Sequence, residues 1–173
     1  TIIILLKNGT VVSIGEDYHT LGRKIIDLND KLKPNKILFK KPIVDISCGR
    51  DHCLAKSDEY RVFTWGHNFY GQLGLPNFPM TWESNKEEPT EIIYFSQKMP
   101  IQIKCGNYNS FCIDEENNLY GWGSNENGQL LVDSDTKKIP TPMILPIKEN
   151  INDMLILPNK ESKKFYILEV FRK

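Results

Sequence analysis

Apolar and β-branched residues recur along this chain in short runs, mostly bounded by glycine, proline, asparagine or aspartate, and such runs read as strands. The pattern predicts strands near 2–6, 10–14, 43–48, 53–56, 62–65, 101–105, 110–113, 119–122, 153–157 and 164–170. Asn8-Gly9 between two extended runs is a hairpin signal, and Glu59-Tyr60 and Asn117-Asn118 hold the same place in later runs. Each group of strands is therefore expected to close into a small antiparallel sheet.

The groups are copies of one another. Trp65-Gly66-His67-Asn68-Phe69-Tyr70-Gly71-Gln72-Leu73 returns as Trp122-Gly123-Ser124-Asn125-Glu126-Asn127-Gly128-Gln129-Leu130, a shift of 57 residues. The same shift of 57 carries Cys48-Gly49 onto Cys105-Gly106. A worn copy, Asn8 to Asp17, matches Glu59 to Asn68 at a shift of 51, with Ile14 in place of tryptophan. Its turn, Tyr18-His19-Thr20-Leu21-Gly22, lacks the Gly-Gln pair. Pro34, Pro89 and Pro140 each stand three residues before an apolar position. Asp153-Met154-Leu155-Ile156-Leu157 parallels Asp45-Ile46-Ser47-Cys48-Gly49, and Thr1 falls on His52. The chain thus divides into a half repeat (1–33), two repeats (34–88 and 89–139) and a half repeat (140–173) within one repeat domain. Self-similarity at this period marks a stacked-blade or solenoid architecture, in which no unit buries its apolar face alone. WD-type units have a shorter period and end in Trp-Asp, and the Gly-Gly pair of a kelch unit is missing.

The copy at 48–75, with Cys48-Gly49, His52, Trp65-Gly66, Asn68 and Gly71-Gln72-Leu73-Gly74, resembles the repeat of the regulator of chromosome condensation family. The copy at 105–132 is weaker, with Asn109 at the histidine position and Leu131 where Gly74 stands. The resemblance implies an all-β fold, a partial β-propeller of antiparallel four-stranded blades that amounts to about three blades and an incomplete ring. It also implies a structural role for His52.

Physical reasoning gives the repeated residues scaffold roles. Small Cys48-Gly49 and Cys105-Gly106 suit the crowding of innermost strands around a central channel. Trp65 and Trp122 offer broad faces for packing between blades, and Gly66 and Gly123 relieve the bend that follows. Asn68 and Asn125 belong to the same repeated turn, in which Gly71 and Gly128 supply a positive φ. The Gln72 and Gln129 amides satisfy turn backbone groups, and Leu73 and Leu130 tuck back into the blade.

Charge narrows the partners. The chain carries 22 basic and 22 acidic side chains, a net charge of zero, which leaves no basic footprint for nucleic acid. The lysines at 33–41 and 160–164 read as solvated loop and edge positions. No apolar run reaches the length of a membrane span, and Ile2 to Leu6 is too short for a signal-peptide core. Intracellular residence, cytoplasmic or nuclear, is the expectation. Cys48 and Cys105 sit at repeat-equivalent positions, which explains them without disulfides, and the cysteines are expected to act as buried small apolar residues. Cys48, His52 and Cys53 have only two cysteine counterparts in the next copy, Cys105 and Cys112, so no metal or other cofactor is expected. Asp51, His52 and Cys53 point to alternate faces of a strand, which argues against a catalytic group.

One segment departs from the repeat. Thirteen residues separate Leu75 from Pro89, against seven between Val132 and Pro140. Phe78, Met80 and Trp82 alternate along that longer loop and are the candidates for partner contact. The expected function is a non-catalytic protein-interaction scaffold, part of a larger protein or assembly. The half-units are expected to leave strand edges for each other, for a second copy or for further blades. The resemblance carries one alternative, guanine-nucleotide exchange on a Ran-type small GTPase.

Overall fold

Strand alternation decides which blade each residue serves. The computed structural model describes residues 1–25, 27–132, 135–147, 151, 154–156 and 167–169. The first sheet holds β1 (Ile2–Leu5), β2 (Val11–Ile14) and β3 (Asn35–Ile37) in that order. The second runs β4 (Ile43–Cys48), β5 (His52–Ser57), β6 (Val62–His67) and β7 (Asn85–Glu91). The third runs β8 (Pro100–Cys105), β9 (Asn109–Asp114), β10 (Leu119–Ser124) and β11 (Lys138–Ile144). A fourth begins as β12 (Met154–Ile156) paired with β13 (Ile167–Glu169). All pairings are antiparallel, so the chain is an all-β array of meandering blades. Among the described residues no helix is long and apolar enough to cross a membrane.

The strands β5 and β9 are buried on both faces, because the second and third blades each have a neighbour on either side. In β5 and β6, Cys53, Ala55, Phe63 and Trp65 face the first blade, packing with Val11 and Ile37. Their alternates Leu54 and Val62 face the third blade, packing with Ile103, Phe111 and Trp122. The two apolar clusters are therefore the seams between blades, and neither blade has a core of its own.

Gly66 and Gly123 sit where the ladder to the outer strand slips register, with φ of 104° and 101°. A Cβ at Gly66 would lie 2.7 Å from the His52 Cα, and one at Gly123 2.7 Å from the Asn109 Cα. The backbone crosses so closely at the bulge that only glycine fits.

Two expectations need correction. The outer strands β3, β7 and β11 were not among the predicted strands. Their lysines, glutamates and prolines are those of solvent-facing edges, where proline omits a donor the sheet does not need. The cysteines are not all free and buried. Cys48 is exposed and disulfide-bonded to Cys53, its direct partner across β4 and β5 at a Cα separation of 4.1 Å. A three-residue link (49–51) brings the pair together, and the matching pair in the third blade is Cys105 with Ser110. Cys105 and Cys112 are free. Of the predicted terminal strands, 153, 157, 164–166 and 170 lie outside the described residues.

Candidate interaction face

The repeat signature forms a set of latches across the seams. Trp65 donates its Nε1–H to the Thr20 carbonyl at 2.9 Å, and Trp122 donates to the Gln72 carbonyl at 2.9 Å. Both indoles are fully buried. The accepting carbonyls belong to the turn of the preceding blade. Within each turn the equivalences continue. Asn68 Oδ1 accepts from the Leu73 amide at 3.1 Å, and Asn125 Oδ1 from the Leu130 amide at 3.0 Å. Gln72 Oε1 accepts from the Tyr70 amide and Gln129 Oε1 from the Asn127 amide, both at 2.8 Å. Gly71 and Gly128 have φ of 80° and 70°. Leu73 and Leu130 are buried in the seam cluster.

Deeper in the second seam, His52 Nε2 lies 2.8 Å from Ser110 Oγ, and Ser110 donates to the Gln72 carbonyl at 2.8 Å. Because the serine proton goes to Gln72, the imidazole is the donor, neutral and protonated at Nε2. Burial pushes the His52 pKa down to about 3, against a backbone hydrogen bond at Asn109. Asn109, the matching side chain of the third blade, is buried with no partner for its amide among the described residues. Cys105 donates its amide to Ser47 Oγ at 2.9 Å, joining the inner ends at Gly49 and Gly106, and burial pushes its thiol up to about 12. Among the described residues no three His, Cys, Asp or Glu side chains converge as metal ligands.

The candidate contact residues part company. In a four-stranded meander, the links after the first and third strands emerge at one end, which here holds 49–51, 68–84, 106–108, 125–132 and 135–137. Phe78 packs against the second seam cluster. Half-buried Met80 packs over the turn, where a Cβ on Gly71 would come within 3.1 Å of its sulfur. Trp82 alone of the three stands out, 72% exposed, stacked on Phe69 at 3.8 Å with planes 16° apart. From Phe69 the rings continue through Tyr70 to Tyr108, each step 4.8 Å. Arg50 lies 5.6 Å over Tyr108, and Lys138 Nζ lies 3.6 Å over Phe69 while donating to the Phe69 carbonyl at 2.7 Å. Burial and then Glu126 push the Tyr70 hydroxyl above its ordinary pKa.

This ridge joins two blades, and sequence reasoning found only its outer end. Phe69 and Tyr70 occupy the two variable positions of Trp-Gly-x-Asn-x-x-Gly, where the next copy has Glu126 and Asn127. That contrast was the available signal.

With the geometry in hand, the comparisons are specific. The profile of the regulator of chromosome condensation (RCC1) repeat matches residues 8–55 and 61–113, and a second profile of the same description matches 43–72 and 101–129. "Probable E3 ubiquitin-protein ligase HERC6" of Homo sapiens is 34% identical over 129 residues, 74% of this chain and 12% of that protein. "Ultraviolet-B receptor UVR8" of Arabidopsis thaliana is 31% identical over 106 residues, 60% of this chain and 23% of its own length. The chain thus spans 12% and 23% of these curated relatives. Among solved structures, human WBSCR16 superposes with a TM-score of 0.71 at 24% identity, covering 84% of this chain and 37% of that one. Prp20p from Saccharomyces cerevisiae, described with its binding properties to Gsp1p and histones, gives 0.74 at 19% identity, covering 88% and 38%. At these identities the likeness shows the fold.

Proposed function

Since the chain belongs to the regulator of chromosome condensation repeat family, we propose that it is a non-catalytic protein-interaction module, working in the cytoplasm or nucleus as part of a larger protein or assembly. The observation that carries this reading is the Trp82–Phe69–Tyr70–Tyr108 ridge at the end where the turns emerge. Elsewhere the tryptophans are buried as inter-blade packing, so a tryptophan 72% exposed on a well-packed scaffold stands ready for a partner. Buried His52 and Cys112 and half-buried Cys105 are spent on packing rather than chemistry. The test is comparative capture from the source cells by the whole chain and by its Trp82→Ser variant. Proteins retained by the first and lost by the second are expected; an identical set, with both chains folded, would overturn the reading.

Guanine-nucleotide exchange on a Ran-type GTPase is the second reading, prompted by Prp20p, which shares the fold and is described with its binding properties to Gsp1p and histones. Release of labelled nucleotide from a panel of small GTPases decides it. Acceleration by the chain supports exchange, and a flat response across the panel removes it.

A further inference from the structure

We propose that the aromatic ridge takes an extended basic peptide, one that carries lysine or arginine side chains, and this inference rests on the interaction-face reading above. The rings run from Trp82 to Tyr108 over at most about 13 Å, the length of about four residues of extended chain. One face of Trp82 lies on Phe69 and the other is open to solvent. An open indole face attracts cations through its quadrupole. The end of the blades already uses this chemistry on its own side chains, with Lys138 over Phe69, Arg50 over Tyr108 and Lys86 Nζ 4.6 Å over Phe78.

Charge selects the sign of the occupant. Two of those cations have partners besides a ring, Lys138 the Phe69 carbonyl and Arg50 the Asp51 carboxylate at 3.9 Å. The carboxylates have charge to spare. Glu83, next to Trp82, and Glu126, beside Tyr70, are exposed and form no ion pair among the described residues. Asp51 and Asp17 add negative charge around His67 on the same end. A basic side chain over Trp82 would have Glu83 alongside, and one near Tyr70 would have Glu126 beside it. An acidic segment would meet the same carboxylates as like charges.

The test uses the whole chain and a fluorescein-labelled peptide of alternating lysine and glycine, with its glutamate–glycine counterpart as control. Binding of the lysine peptide is expected by anisotropy and by a change in tryptophan emission, weakening as salt rises. Trp82→Ala and the double variant Glu83→Gln, Glu126→Gln should each weaken it about fivefold or more while melting stays near that of the parent. No binding of the lysine peptide, or equal binding by both variants, overturns the inference. A glutamate peptide bound as tightly, with the same loss in Trp82→Ala, overturns the basic partner but leaves the interaction face standing. Concentration-dependent self-association lost in Trp82→Ala, without peptide binding, assigns the ridge to a second copy and also overturns it.

Discussion

Trp122 and Ser110 both donate to the main-chain carbonyl of Gln72, at 2.9 Å from Nε1 and 2.8 Å from Oγ. That carbonyl is in the turn of one blade, and its donors are on the middle strands of the next. The latch explains why the turn after Trp-Gly is copied so closely, because the turn presents an acceptor to the following tryptophan. Trp122→Phe keeps most of the ring and removes one donor, and it should cost about 1–3 kcal/mol. Ser110→Ala should cost a similar amount. The double variant leaves the buried carbonyl bare and should cost more than the two together. Urea denaturation of the four chains measures this, and strict additivity would show that the shared acceptor is unimportant.

The same seam makes stability depend on pH. His52 has a folded pKa of about 3 against 6.5 for the free side chain, because burial disfavours the charge. The unfolded chain therefore takes up this proton first as pH falls. The contribution is whole above about pH 6.5 and is lost toward pH 3, with a slope approaching about 1.4 kcal/mol per pH unit. His52→Gln cannot titrate and should flatten the curve in this window after the common carboxylate response is subtracted. Parallel curves for the two chains, by thermal melting from pH 7 to 4, would contradict the assignment.

Much of this was legible from spacing. The shift of 57 that aligns Trp65 with Trp122 also aligns Thr64 with Gly121 and Gly66 with Gly123, and the ladders slip at the same places in both blades. The outer strands were not legible: Asn85–Glu91 is polar apart from Pro89, and strand signals measure burial as much as backbone preference. The disulfide was hidden for a related reason. Cys48 and Cys53 face each other only once the register of β4 on β5 is fixed, and the repeat pointed to Cys105, whose own partner is a serine. At the candidate face, composition grouped Trp82 with Phe78 and Met80, and only Trp82 stands well exposed. Alternation along an irregular loop does not carry the meaning it has in a strand.

Leu131 offers a gain rather than a loss. It stands where the preceding blade has Gly74, and it adopts the same left-handed backbone, φ 55° against 69°. Gly74 has no choice, because a Cβ there would lie 2.7 Å from the Trp122 Nε1. Leu131 is 52% exposed, so it strains the backbone with little burial in return. Leu131→Gly should stabilise the chain by about 0.5–1 kcal/mol, the left-handed strain relieved less the added freedom of the unfolded glycine. Gly74→Ala should destabilise it. Chemical denaturation of both variants checks the pair, and a Leu131→Gly chain less stable than the parent would mean that the leucine packs better than its exposure suggests.

Phe78 and Trp82, four residues apart on one loop, should behave oppositely. Half-buried Phe78 packs against the second seam, and Phe78→Ala should cost about 1–3 kcal/mol through the contacts it loses. Trp82 touches its own chain through the stack on Phe69, and an exposed stack of this kind contributes about 1 kcal/mol or less. Trp82→Ala should therefore lower the melting temperature only slightly while abolishing any tryptophan-dependent partner signal. If Trp82→Ala unfolded the chain as Phe78→Ala does, the ridge would be a lid over the seam, and the exposed indole would be packing rather than recognition.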